Sequence, residues 1–468
     1  MVIERRKRAF QRRKIVERLL IDGGWIITMD PERRMIQDGG ILIEGDSIVA
    51  VGRSGEIKEK FRGVPLLDAR NKVILPGFVD THIHLSEHIV RSLIPDDAKD
   101  WMSNWLMPIY SSLTPEEEYY SAMLAFIELI KTGTTTFCEA GTCFYIDHII
   151  EAMQQVGARG ILGRWTWDLP PSPERMKQTT EQALTANEDM IRRVKKLADD
   201  RIMAWPLLLG MGTASDGLMI GAKKIADDHN LGFGFMHGSS IPSMETRDKI
   251  QPIKHFEEIG ILGKNLKLTH MVYIEEHEID LLQQYEVKIS HCPTAAMKHW
   301  KGISKYGKFP EMVEKGICVS LGADSANSSD HSNMLKLMEL VACIYKDFHM
   351  SETVFPAETV LEMATIRGAE ALLLEKKIGS IEVGKKADLV LFDRDHPEWR
   401  PLLNATHNLV YSVSERSIDT VFVSGKVVLD QGRMVGVDEK DVYEKVEELS
   451  RNVLERSNIS PKQRWPVI

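Results

Sequence analysis

Apolar positions along the chain fall into two rhythms. Between about Leu19 and Leu67, short β-branched runs such as LLIDGGWIITMD and GILIEGDSIVAVG are broken by the turn signals DGG, EGD and GRSG. The same texture returns after Lys377, as IGSIEVGKKADLVLFD and DTVFVSGKVVLDQGRMV. Period-two runs of this kind predict antiparallel strands. Their recurrence at opposite ends predicts one small β-sandwich domain assembled from residues 16–72 and 377–437, with the middle of the chain inserted into it.

The middle, residues 73–376, reads differently. Short apolar strands alternate with longer amphipathic stretches such as PEEEYYSAMLAFIELIKTG and ANEDMIRRVKKLADD. The strands are read at VILPGFVDTHIH, TTTFCEAG, ARGILGRW, RIMAWPLLLGMG, LGFGFMHG, LKLTHMV, VKISHCP and ICVSLGADS. Alternation of strand and helix predicts a parallel sheet, and eight such units predict an α/β fold of the (β/α)8 TIM-barrel type. Residues 438–468 close the chain, with a helix over 441–456 whose apolar stripe is Val442, Val446, Leu449 and Val453.

Composition narrows the function classes. The net charge is −9, from 59 basic and 68 acidic residues, which argues against a nucleic-acid binder. A basic arm, MVIERRKRAFQRRK, opens the chain and reads as a solvated charge run. No run approaches the 18 or so apolar residues a membrane span needs. Five cysteines without paired spacing point to a reducing, cytoplasmic compartment, and they read as buried, inert thiols.

Chemistry concentrates at the C-terminal ends of the predicted strands, where barrel active sites form. Strand one ends in Thr81-His82-Ile83-His84, and residues two apart on a strand share a face. Strand five ends in His237, strand six carries His270, and strand eight ends in Asp324. An N/O donor set of this kind suits a borderline divalent metal, which would lower the pKa of a bound water toward ~7. An aspartate there can also take the proton of the attacking water.

The stretch Leu75-Pro76-Gly77-Phe78-Val79-Asp80-Thr81-His82-Ile83-His84 resembles the strand-one signature of the amidohydrolase superfamily. Ser290-His291-Cys292-Pro293-Thr294 is similar to its seventh-strand segment, Leu321-Gly322-Ala323-Asp324-Ser325 to its eighth-strand aspartate, and residues 378–390 to its return into the small β domain. The resemblance runs from about residue 16 to 437 and leans toward the branch of nucleobase and triazine aminohydrolases and phenylurea or thiocarbamate hydrolases. It implies that His82, His84, His237 and Asp324 hold the metal and that His270 orients the attacking water and polarises the substrate. One ion is implied (zinc, cobalt, iron or manganese), because strand four offers no lysine or carboxylate to bridge a second.

One departure bears on the reaction. Deaminases of this branch carry a proton-shuttling Glu three residues after the strand-five His, and here that position is Ser240. A serine hydroxyl, with a pKa far above 7, cannot take the role. The next acids are Glu245 and Asp248; either can substitute if the loop folds back, with Glu245 the candidate taken, and a surface helix start is the alternative reading of the segment. The expected activity is therefore hydrolysis of a non-peptide C–N bond in an amide, urea, carbamate or thiocarbamate, with deamination or dechlorination of a nitrogen heterocycle as the alternative. A non-catalytic scaffold on the same barrel would have no need of the ligand set.

The substrate wall is expected from the loops after strands one to four. Trp101, Trp105 and Met107, Phe144 and Tyr145, and Trp165 and Trp167 form an apolar, aromatic set suited to a small, largely apolar molecule. Arg164 and Asp168 are candidates for a polar substrate edge, and His88, His291 and His331 lie near the predicted mouth. By analogy with the family, a homo-oligomer is expected.

Overall fold

The computed structural model describes residues 17–170, 174–237 and 252–466. The chain begins with an antiparallel meander of β1 (Arg18–Ile27), β2 (Met35–Glu44) and β3 (Ser47–Arg53). β4 (Leu66–Asp68) and β5 (Lys72–Pro76) then run parallel to β1. Alternation works as predicted: Ile21, Ile41, Ile43, Ile48 and Ile74 turn inward and form a dry cluster. Each such burial is worth roughly 1.5–3 kcal/mol.

VILPGFVDTHIH, expected as one strand, is two. Gly77 separates β5 from β6 (Phe78–His84), and its N–H donates to the Asp388 carbonyl at 2.9 Å. A Cβ on Gly77 would meet Thr135 Oγ1 at 2.1 Å, so only glycine lets the chain cross here.

From β6 to β15, strands are interspersed with helices and every strand pair is parallel. β7 (Thr134–Glu139), β8 (Arg159–Leu162), β9 (Ile202–Ala204), β10 (Leu207–Gly210), β11 (Phe233–His237), β12 (Leu266–His270), β13 (Lys288–His291), β14 (Val319–Leu321) and β15 (Asp324–Ser325) follow in order. They form two five-stranded arcs, β15-β6-β7-β8-β9 and β10-β11-β12-β13-β14. The ladder is thus barrel-like without being one closed sheet. The fourth predicted strand breaks at Trp205-Pro206, where proline supplies no N–H. The eighth breaks at Gly322-Ala323, and its two halves pair with opposite neighbours, β13 and β6. The intervening helices start as the sequence suggests: Pro115–Lys131 and Thr180–Lys196 each open on a capping box, Thr114 with Glu117 and Thr179 with Gln182.

The chain then returns to the first sheet. β16 (Leu389–Asp393) pairs antiparallel with β5 and with β17 (Ile418–Val423), and β18 (Lys426–Asp430) and β19 (Arg433–Met434) extend the edge. Where a β-sandwich was expected, both chain ends join in one continuous, mixed, nine-stranded sheet. The last helix, Glu439–Ser457, buries the expected Val442, Val446, Leu449 and Val453. No helix among the described residues is long and apolar enough to cross a membrane.

Candidate active site

Four strand ends converge at one mouth. β6 delivers His82 and His84, two residues apart on one face, and their rings lie 5.1 Å apart. β12 brings His270, whose ring is 5.6 Å from that of His82. Asp324 stands among all three: its carboxylate lies 3.3 Å from His84 Nε2, 3.8 Å from His82 Nε2 and 3.7 Å from His270 Nε2. His237 ends β11 in register beside His270, with its ring 5.3 Å from Phe256.

Local backbone geometry makes this convergence possible. His270 and Asp324 adopt φ of +75° and +69°, a conformation that L-residues rarely take, so each side chain is swung off its strand toward the mouth. At Gly322, a Cβ would meet His82 Cβ and Ser290 Oγ at 2.8 Å, so the glycine lets β14 pass beside the ligand strand. The buried Asp80 carboxylate accepts from the backbone N–H of His82 (3.0 Å) and of Ala323 (3.1 Å), tying the two ligand-bearing turns together. Burial raises Asp80 to about 7.

His82, His84 and Asp324 present donor atoms within 4.8 Å of one another, a group able to hold a metal ion. Their chemistry fits one. His82 Nδ1 faces Thr269 Oγ1 at 3.4 Å, while its Nε2 is buried with no hydrogen-bond partner among the described residues. Burial also holds His82 well below the usual imidazole range, so it is a neutral donor. His84 Nδ1 donates to Thr142 Oγ1 (3.2 Å), and that hydroxyl donates to Glu139 (2.7 Å). This histidine–hydroxyl–carboxylate chain fixes the tautomer that leaves His84 Nε2 facing Asp324. Burial would raise Asp324, but the bond from His84, which that bond and the charge of Glu87 raise to about 9 against its own burial, holds the carboxyl far below the usual range. His270 is pushed down to about 4 by burial, and its Nδ1 has no partner among the described residues.

Behind His84 lies an acidic layer that the sequence reading missed. Glu87 accepts from Tyr110 (2.5 Å) and Asn327 (3.2 Å). Glu118, raised to about 7 by burial, accepts from Ser86 (2.7 Å) and Phe144 N–H (2.9 Å). Lys267, wholly buried, donates to the Thr81 carbonyl at 2.5 Å. None of these belongs to a short linear motif, and only the fold collects them. Cys292 was read as inert, yet its thiol groups with His270 and Asp324. Cys343, also expected to be buried, is exposed.

Some of the aromatic residues expected to line a substrate wall are brought together. Trp165 stacks between Phe144 (5.1 Å) and Trp167 (4.9 Å), and Tyr110 tilts against it at 5.5 Å. The indole N–H groups of Trp165 and Trp167 are buried with no partner among the described residues. Trp101 stacks on His299 at 5.1 Å. Met107 is buried, and the Tyr145 hydroxyl takes a hydrogen bond from Arg175 at 2.5 Å.

Six other expected residues make contacts within the fold. Trp105 packs against the C-terminal tail, with Lys462 Nζ 5.5 Å from its ring centre beside a cavity of about 490 Å³. His291 is fully buried, stacked on Phe309 at 3.7 Å and bonded to the Tyr345 hydroxyl at 3.3 Å, so apolar packing occupies its ring. Asp168 serves the Ser215 turn, accepting from Ser215 N–H (2.8 Å) and Thr180 (2.7 Å). His331 accepts from Asn333 N–H (3.3 Å), a local turn bond. His88 faces Glu128 at 3.5 Å, and the half-buried Arg164 reaches the Ala186 carbonyl at 3.5 Å. Ser240, Glu245 and Asp248 lie outside the described residues.

Parallel strands that bring histidines and an aspartate to their C-terminal ends, with two metal-capable groups that share Asp324 among the described residues, define the class of α/β metal-site proteins to which this chain conforms. Residues 73–428 match the amidohydrolase family model, and the chain belongs to that family. It is a hydrolase acting on carbon–nitrogen bonds other than peptide bonds. It is 32% identical over 426 residues to a 5′-deoxyadenosine deaminase of Methanobrevibacter smithii, covering 90% of this chain and 94% of the relative. A 5-methylthioadenosine/S-adenosylhomocysteine deaminase of Thermoanaerobacter pseudethanolicus is 31% identical over 451 residues, covering 94% and 100%. Among solved structures, an adenosine deaminase from Xanthomonas campestris with bound zinc superposes with a TM-score of 0.86 at 22% identity, over 93% of this chain and 98% of that one. A zinc-complexed atrazine chlorohydrolase from Arthrobacter aurescens gives 0.84 at 22%, over 92% and 100%. At that identity the two structures speak to the fold alone.

Proposed function

We propose that this chain is a hydrolytic deaminase of an aminopurine nucleoside of the 5′-substituted 5′-deoxyadenosine class, using one divalent ion, zinc for preference. The observation that carries the reading is the match, over at least nine tenths of both chains, to deaminases of such nucleosides. The Phe144–Trp165–Trp167 stack supports it, with two buried indole N–H groups that have no partner among the described residues and could serve a planar base.

His82, His84, His237 and Asp324 are the proposed ligands. The bound ion would supply Lewis acidity, drawing the pKa of a water toward ~7. The chain's own groups do the rest. Asp324, ionised, takes a proton from the water as its oxygen adds to the amino-bearing carbon. His270, neutral at pH 7, orients that water through Nε2 and presents Nδ1 to the substrate. The C–N bond then breaks, and the proton held at Asp324 leaves with the amine as ammonia. Glu245 is the proposed carrier of a proton to the ring nitrogen, in place of the Glu that Ser240 displaces, and it regains a proton from the new C–OH group as the carbonyl forms.

Ser240 also keeps a second reading alive. Cleavage of an amide, urea, carbamate or thiocarbamate needs no ring protonation, because the carbonyl is already an electrophile. The deciding experiment is ammonia release from 5′-deoxyadenosine and 5′-methylthioadenosine, run beside amine release from a phenylurea. Ammonia from the nucleosides, lost in Glu245→Gln by at least ~100-fold, is the expected result. Amine release alone would overturn the deaminase. Elemental analysis is expected to show one equivalent of metal, absent from His82→Ala.

A further inference from the structure

We propose that Trp101, His299 and Lys301 form a subsite at the active-site mouth that takes an anionic substituent of the substrate, a carboxylate or a phosphate. The proposal deepens the nucleoside reading, on which its choice of ligands rests.

The geometry begins at Cys292, whose thiol groups with His270 and Asp324 at the metal-capable centre. The helix Pro293–Lys298 starts directly after it and ends at His299. There the imidazole stacks on Trp101 at 5.1 Å and 21°, joining the loop after β6 to the loop after β13. His299 Nε2 is buried and has no hydrogen-bond partner among the described residues. A buried polar atom left in that state has lost its water without a replacement, and a ligand can supply one.

Two residues on, the backbone of Lys301 is pinned at both ends. Its N–H donates to the Ala296 carbonyl (2.9 Å), and its carbonyl accepts from the Tyr273 hydroxyl (2.9 Å). Its ammonium, by contrast, has neither an ion pair nor a hydrogen bond among the described residues. Two nearby lysines are satisfied: Lys298 pairs with Asp330 and donates to the Asn327 carbonyl (3.0 Å), and Lys308 faces Glu276 at 3.4 Å. Lys301 is half-buried, and burial lowers its pKa, with Asp324 the carboxylate that works against the shift. Asp324 is already shared among three histidines and is no dedicated counter-ion. Lys301 also bears on His270, so its charge reaches the reaction centre. An ammonium in partial burial without its own acid, two residues along the chain from a stacked imidazole whose Nε2 has no partner among the described residues, is complementary to an anion carried on a flat molecule.

The experiment is isothermal titration calorimetry of the metal-loaded full chain with three ligands that differ at one position: 5′-deoxyadenosine, adenosine 5′-carboxylate and adenosine 5′-monophosphate. The native chain is expected to bind at least one anionic ligand tenfold or more tightly than 5′-deoxyadenosine, and the better anion identifies carboxylate or phosphate. Lys301→Met should reduce that ratio below threefold, Lys301→Arg should keep it, and Trp300→Ala, at an exposed neighbour, should not change it. Equal affinity for all three ligands, or an undiminished ratio in Lys301→Met, overturns the subsite. Charge discrimination without ammonia release from 5′-deoxyadenosine upholds the subsite and removes the deaminase; ammonia release without discrimination does the reverse. Failure of all three to bind overturns both.

Discussion

Thr142 shows how much a single hydroxyl decides in this site. It accepts from His84 Nδ1 and donates to Glu139, so it converts a buried carboxylate into an instruction about which imidazole nitrogen faces Asp324. Outer-shell partners of this kind typically change metal affinity 10–100-fold. Thr142→Val, which keeps the shape and removes the hydroxyl, is expected to weaken metal retention by about that factor in a chelator competition, with the melting temperature of the metal-free protein nearly unchanged. Equal chelator sensitivity in the variant and the native chain would remove the role. His82 and His84 were legible from their spacing; Thr142 and Glu139 were not, because a threonine and a glutamate carry no signal until the fold places them against a ligand.

Among elements, the helix Pro115–Lys131 and the loops at the mouth are joined by Glu128. Its carboxylate meets His88 (3.5 Å), Arg91 and the N–H of Ser332 (3.1 Å). Burial alone would raise its pKa, but the bond and charge of His88, then the charge of Arg91, hold it at about 2. The folded value therefore lies below the unfolded one, near ~4.3, so the stabilisation is complete above about pH 5 and is lost as pH falls toward 2. Its size is on the order of 2–4 kcal/mol. Denaturant titrations at pH 6 and pH 3 are expected to show a smaller acid loss in Glu128→Gln than in the native chain, by about that amount. Element types and order were readable from periodicity, whereas the breaks were not. The split of the eighth strand serves the site, since Asp324 needs its positive φ to turn inward, and backbone strain of that kind has no compositional mark.

At the scale of the molecule, the two rhythms of the chain are fastened by one buried ion pair. Arg159 on β8 meets Asp388, just before β16, at 2.7 Å, with Ser424 Oγ and N–H completing the cluster. Removing one partner leaves a buried charge, so Asp388→Ala should destabilise by roughly 3–5 kcal/mol, whereas Arg159→Met with Asp388→Leu should restore most of it. Chemical denaturation of the three variants checks this. Equal losses in the single and double variants would mean that the cluster holds shape and not charge. The sequence by itself determined the alternation of strands and helices, the return of the last strands to the first, and four strand ends that carry His82, His84, His237, His270 and Asp324, because periodicity and position on a strand are local properties. Tertiary structure alone decided that both ends share one sheet, that Trp105 packs beside the C-terminal tail and His291 against Phe309, and that Glu87, Glu118 and Glu139 gather behind His84. Those outcomes depend on which buried groups find partners across long sequence separations, and hydrogen-bond satisfaction between distant segments is settled only when the chain is folded.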